Sequence, residues 1–201
     1  MRDFPGLPTE LEIMSHWTEC ESRPLVSICC LTFNHESFIE DALEGFLSQK
    51  TRYPFEVLIH DDASTDGTSQ ILFEYQYAYP SIIRVIQQSE NQYSRGVRFL
   101  YANQLFLNAR GDYAALCDGD DYWTDPYKLD KQVNEMIKGG YSLCFHDVSE
   151  IPAGVKHKRR ARPPSDLLSL RHLALDHYIP TSSQVVDLRR LPIELPFHAK
   201  R

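Results

Sequence analysis

The sequence predicts an α/β fold, a mostly parallel central sheet flanked by helices, and three observations carry that prediction. Short, β-rich and nearly all-apolar runs recur along the chain; each ends in a polar turn; and most turns lead into a segment with apolar residues on one helical face. Strands buried on both faces read as continuous apolar runs. Parallel neighbours need long right-handed crossovers, so the alternation implies a Rossmann-like sheet with helices on both faces.

The first run, Leu25 to Phe33 (LVSICCLTF), has the composition of a central strand. Asn34 and His35 break it, and Glu36 to Gln49 sets Phe38, Ile39, Ala42, Leu43, Phe46 and Leu47 on one helical face. Phe55 to His60 is the second strand, Asp61 to Gly67 its turn, and Thr68 to Tyr79 the next helix, stopped by Pro80. Ile82 to Ile86 reads as the third strand. After a polar loop, a helix is expected from about Val97 to Ala109, closed by Gly111. Tyr113 to Cys117 is the fourth strand. Pro126 stands where a helix can begin, Lys128 to Lys138 continues it, and Gly139-Gly140 ends it before a fifth strand at Tyr141 to Phe145. Beyond Val148 the pattern weakens, and only Leu167 to Leu175 and Gln184 to Leu188 read as ordered.

The chain has 201 residues, 42% hydrophobic and 24% charged, which is enough to bury a core without disulfides or a structural metal. With 21 basic and 28 acidic side chains the net charge is -7, which argues against general affinity for nucleic acid. Cys29, Cys30, Cys117 and Cys144 lie in apolar runs without metal-ligand spacing, so buried reduced thiols are expected. No apolar run reaches the roughly 18 residues that span a bilayer, and MRDFPGLPTE lacks the apolar stretch of a signal peptide. The expectation is a cytoplasmic protein.

Ligands of open α/β sheets bind beyond the carboxyl ends of the strands. Here those ends are acidic: Asp61 and Asp62 after the second strand, and Asp118, Asp120 and Asp121 after the fourth. Five such carboxylates repel one another unless a cation joins them. Hard oxygen ligands without cysteine or a close histidine pair suit magnesium, manganese or calcium, and an ion held by two or three carboxylates keeps positions open for phosphate oxygens. An EF-hand is excluded because Trp123 and Leu129 stand where its glycine and glutamate belong. A P-loop and a GxGxxG turn are absent, and a solvated acidic turn is the competing structural explanation.

At these residues the sequence resembles the inverting, nucleotide-sugar-dependent glycosyltransferases of family 2, with the GT-A fold. The segments PLVSICCLTFNHESFIEDALEGFLSQ, FEVLIHDDASTDGT, LNARGDYAALCDGDDYWTDPYKLDKQV and YSLCFHDV match in family order from about Pro24 to Val148. The resemblance implies a nucleotide-sugar-binding core at 24–148, preceded by an extension at 1–23 and followed by a shortened acceptor-side segment at 149–201.

Carried to matching positions, the resemblance implies that Leu31 and Phe33 line the base pocket, with Phe33 stacking, although strand position alone equally fits a core phenylalanine. Asp62 corresponds to the carboxylate that accepts from the uracil or ribose, while Asp61 braces the turn and Asp66 caps the next helix. In the DxD-like turn Asp118 and Asp120 approach the ribose and metal, and Asp120 or Asp121 ligates manganese or magnesium bridging the two phosphates. Arg98, with Arg95 nearby, is the basic residue the family often carries before this turn, and Tyr122 and Trp123 are candidates to line the sugar pocket. For Trp123, anchoring the next helix is the commoner role.

The implied function is transfer of a sugar from a nucleoside diphosphate, UDP being the expected carrier, to an acceptor hydroxyl in polysaccharide or lipid-glycan assembly. Inversion needs a general base. The family places an acidic base beyond the strand that Ser182 to Leu188 resembles, and no matching Glu-Asp segment follows Leu195. Glu194, Asp147 and His146 do not match its position, so the catalytic base is unassigned. A catalytically silent nucleotide-binding domain is therefore the alternative. Nucleotidyl transfer is disfavoured because Phe33-Asn34-His35-Glu36 is not a glycine-rich basic loop. The tract Lys156 to Arg162 carries five positive residues. Either it is a solvated loop or it meets an anionic lipid-linked acceptor as a peripheral contact at the inner face of the membrane.

Overall fold

A computed structural model of the protein describes residues 4, 6–18, 23–98, 100–149 and 179–191. Strands β1 (Val26–Thr32), β2 (Phe55–Asp61), β3 (Ile83–Gln87) and β4 (Tyr113–Asp118) carry the apolar runs read from the sequence. With β5 (Leu143–Cys144) and β6 (Val185–Asp187) they form one sheet in the order β3-β2-β1-β4-β6-β5. The pairings of β1 with β2, β1 with β4 and β2 with β3 are parallel, as expected of runs buried on both faces. The fold is therefore α/β with a mostly parallel sheet. Strand β6 enters antiparallel between β4 and β5, so the chain segment beyond Val148 contributes to the sheet rather than merely following it.

The strands bury their alternate residues in two unequal layers. One face carries Val26, Ile28, Phe55, Val57, Ile59 and Ala115, covered by α2 (Ile39–Leu47), α3 (Thr68–Ala78) and α4 (Lys128–Gly139). The helices supply Phe46, Leu72, Tyr75, Leu129 and Met136 to that layer. A short helix α1 (Glu10–Ser15) joins it too: Ile13 is buried, and the rings of Trp17 and Phe55 meet edge-on at 5.6 Å. Thr9 and Glu12 close a capping box at its start, each bonding the other's backbone N–H.

The opposite face is covered by the segment expected to be helical between Val97 and Ala109. Its regular part is a π-helix, Tyr101–Phe106. The wider turn sets residues five apart on one face, so Tyr101 and Phe106 both pack against the layer of Cys29, Leu58, Leu105, Ala114 and Leu116. Helix α4 ends where the sequence predicted, with Gly140 in the left-handed conformation at φ 61°. The four described cysteines are unpaired. No helix among the described residues is long and apolar enough to cross a membrane. The tract Lys156 to Arg162, the expected ordered segment Leu167 to Leu175 and Glu194 lie outside the described residues.

Candidate functional site

The turns after β1 and β2 are laced together by side chains that bond the other turn's backbone. Asn34, at φ 55°, accepts from the Thr65 amide at 2.8 Å, while its own amide donates to Ser64 Oγ at 2.9 Å. An amide-bearing side chain tolerates that left-handed backbone. The His35 amide donates to Thr68 Oγ1, and the Gly67 amide to the Glu36 carboxylate. Asp61 accepts from the Ser64 amide and hydroxyl and from the Ser69 hydroxyl, the bracing role expected of it. Asp66 bonds the Thr68 amide and hydroxyl, which holds its carboxyl below the usual range.

Asp62 is buried, and its two oxygens accept from the amides of Gln92 and Tyr93 at 2.7 and 3.0 Å. Its carboxylate thus folds the loop after β3 against the end of β2. Beneath it His60 is fully buried with Nε2 3.6 Å from Asp62 Oδ1, and burial pushes the imidazole pKa down. Arg98, in the same loop, lies 4.5 Å over the Tyr93 ring and donates to the carbonyls of Tyr93 and Val97. Arg95 pairs with Glu90. Phe33 stands 40% exposed at the end of β1, a placement open to a ligand rather than one in the core, while Leu31 packs partly buried on the π-helix side.

The acidic turn begins at the end of β4. Asp118 accepts from the Tyr101 hydroxyl at 2.7 Å. Burial, with help from the Asp120 and Asp121 charges, nevertheless raises its carboxyl pKa. Gly119 lets the turn close on β1: its amide donates to the Leu31 carbonyl, and an added Cβ would stand 2.7 Å from Thr32 Oγ1 and 3.0 Å from His35 Nδ1. Asp120 is more than half exposed, with His35 Nε2 4.0 Å away. Among the described residues no lysine or arginine pairs with Asp118, Asp120 or Asp121, and no three acidic, histidine or cysteine side chains close into a metal cage. Among the described residues, the buried Thr32 Oγ1 and His35 Nδ1 beside the turn find no hydrogen-bond partner.

The structure therefore divides the residues read from the sequence into two groups. Asp118, Asp120 and Asp121 line a cleft of about 950 Å³ together with Tyr122, Trp123, His146 and Asp147. Leu31, Phe33, Asp62 and Arg98 do not line it: Leu31 and Phe33 stand at the end of β1, Leu31 paired with Asp118 on one side and His60 on the other, while Asp62 and Arg98 belong to the segments after β2 and β3. Trp123 is a buried anchor, its indole N–H donating to the Ser182 carbonyl at 3.0 Å and its ring meeting Phe46 edge-on, whereas Tyr122 is exposed. Sequence reasoning missed Tyr101, whose partner lies 17 positions away, and Lys128 in the cleft wall. A lysine among the apolar positions of a helix start, four before Gln132, was the only local sign of the latter.

The family model for glycosyl transferase family 2 matches residues 27–190. An uncharacterised protein of Mycobacterium tuberculosis is 46% identical over 127 residues, which is 63% of this chain and 36% of the relative. The putative teichuronic acid biosynthesis glycosyltransferase TuaG of Bacillus subtilis is 34% identical over 67% of this chain and 51% of its own. The matched region thus spans between about a third and a half of these relatives' length. Among solved structures, residues 1–349 of S. aureus TarS in complex with UDP-GlcNAc align with a TM-score of 0.64 at 20% identity, over 81% of this chain and 45% of that one. A mannosyltransferase from Pyrobaculum calidifontis, in complex with GDP-Man and Mn2+, gives 0.52 at 21% identity over 71% and 38%. These two likenesses establish the shared fold.

Proposed function

The chain belongs to glycosyl transferase family 2, and from that premise we propose that it binds a nucleoside-diphosphate sugar, with UDP as carrier, and transfers the sugar with inversion to an acceptor hydroxyl of a glycan or lipid-linked acceptor. The observation that carries this reading is the set Asp118, Asp120 and Asp121: neighbouring carboxylates, none paired with a described lysine or arginine, opening on a cleft at the carboxyl end of a parallel sheet. The chemistry of that donor set fits magnesium or manganese, which take hard oxygens and keep open positions. Asp120 and Asp121 would hold the ion. When bound it supplies positive charge to the diphosphate as the glycosidic bond to phosphate breaks.

The chain's own residues divide the remaining work. Phe33 and Leu31 receive the base, Asp62 shapes the base pocket through the loop it holds, Arg98 stands on that loop, and Asp118 is oriented by the Tyr101 hydroxyl. Residues 24–148 then act as the donor half and 149–201 as part of the acceptor side, with the tract Lys156 to Arg162 as a contact for anionic lipid. TarS in complex with UDP-GlcNAc supports UDP as the carrier, and the name of TuaG supports a role in polysaccharide assembly. The test is UDP release from a panel of UDP-sugars with Mn2+ and glycan acceptors. Metal-dependent binding of UDP without release from any sugar would instead establish a silent nucleotide-binding domain.

A further inference from the structure

Lys128, the first residue of α4, is 4% exposed and lines the cleft. Its ammonium sits 4.1 Å over the Trp123 ring and donates one hydrogen bond, to Gln132 Oε1 at 2.7 Å. Both contacts are fixed from behind. Gln132 Nε2 donates to the Ser183 carbonyl at 2.9 Å, which forces its oxygen toward Lys128, and Trp123 is held by the Ser182 carbonyl. Among the described residues no carboxylate lies within ion-pair distance; the nearby Asp125 is engaged by Lys131 at 2.7 Å. A cation at a helix N-terminus also opposes the helix dipole.

A buried ammonium with three N–H groups and, among the described residues, one hydrogen bond and no counter-charge is a costly arrangement that an apolar side chain of the same length would avoid. The cleft it lines runs from the acidic turn to Ser182, and Leu31, Phe33, Asp62 and Arg98 are outside its lining. A ligand group reaching Lys128 is therefore one beyond the diphosphate. Burial has pushed the ammonium pKa down to about 7, and an anion placed against it would restore the charge.

Resting on the donor-binding reading above, we propose that Lys128 on its Trp123–Gln132 frame is a specificity site for an anionic substituent, a carboxylate or phosphate, on the transferred sugar or on the acceptor. Two titrations at pH 7 separate these sources, after UDP with Mn2+ has been titrated alone. The donor arm compares UDP-glucuronate with UDP-glucose. The acceptor arm compares methyl glucuronide and glucose 6-phosphate with methyl glucoside, each added to protein saturated with UDP and Mn2+. A preference of about tenfold for the anionic member is expected in one arm, the effect of one charge-assisted hydrogen bond. Lys128→Gln should abolish it and leave UDP affinity unchanged, and Lys128→Arg, which keeps a cation, should retain most of it. Absence of preference in both arms, a preference that survives Lys128→Gln, or an equal loss of UDP affinity in that variant overturns the inference while the donor-binding reading stands. A wild type that binds no UDP overturns both.

Discussion

The two ends of the sheet treat their carboxylates in opposite ways. At the amino end of the parallel strands the described buried acids, Glu56 and Asp187, and the partly buried Asp112 each have a guanidinium: Glu56 meets Arg84, Asp112 meets Arg23 and Arg189, and Asp187 meets Arg189 and Arg190. At the carboxyl end Asp118, Asp120 and Asp121 have a tyrosine hydroxyl, a distant imidazole and, for Asp121, no side-chain partner among the described residues. Arginine was available to both ends of the same sheet. The contrast marks the first set as internal structure and leaves the second, among the described residues, without a cationic partner, as the proposed metal-assisted site requires.

Substitutions can break or sharpen that contrast. The largest effect is expected from Asp120→Asn combined with Asp121→Asn, which should remove the Mn2+-dependent gain in UDP affinity, about hundredfold if the ion contributes several kcal/mol. The melting temperature should hold or rise because repulsion is relieved; a clear fall would make these acids structural. At the other end Glu56→Gln should cost about 2 kcal/mol in urea unfolding, since it strands Arg84 and weakens the bonds from Ser27 and the Arg110 amide, and UDP affinity should not change. Gly119→Ala should cost about 1–3 kcal/mol by overpacking against Thr32 and His35. Unlike Glu56→Gln, it should also weaken UDP binding, because it displaces the acidic turn.

The smallest effect concerns pH. His60 has a folded pKa below its unfolded value of about 6.5, so the unfolded chain binds the proton first as pH falls. Stability is full above that value and declines below it, by at most about 1.4 kcal/mol per pH unit from this one group. Thermal melts from pH 7.5 to 5.5 should show the decline, and His60→Leu should flatten it; His146, lowered in the same direction, leaves a remainder. An unchanged slope in His60→Leu would assign the acid sensitivity elsewhere.

What the sequence disclosed follows from the range of the interactions involved. Strands β1, β2 and β4 were legible because a strand buried on both faces is mostly apolar, the edge strand β3 because its Ile83, Val85 and Ile86 stand out from polar flanks, and the acidic turn because its residues are adjacent in the chain. The end of α4 was legible because a glycine pair terminates it locally. Strand β6, by contrast, is three residues long, and its antiparallel place between β4 and β5 is set by pairing with distant residues. The π-helix is a packing solution for Tyr101 and Phe106 that no periodicity of 3.6 announces. Helix α1 did leave a local sign, the Thr9 to Glu12 capping box, although its attachment to the core through Trp17 did not. The Lys128 frame depends on Ser182 and Ser183, more than fifty positions away, and could only be seen in three dimensions.

The measurement that bears most directly on the acidic end is calorimetric titration of UDP into the wild-type chain with Mn2+ and again with the ion chelated. Binding in the first titration, weakened at least tenfold in the second, is the predicted result. Equal affinity in both, or no binding in either, would contradict the assignment of Asp118, Asp120 and Asp121 to a metal-assisted diphosphate site.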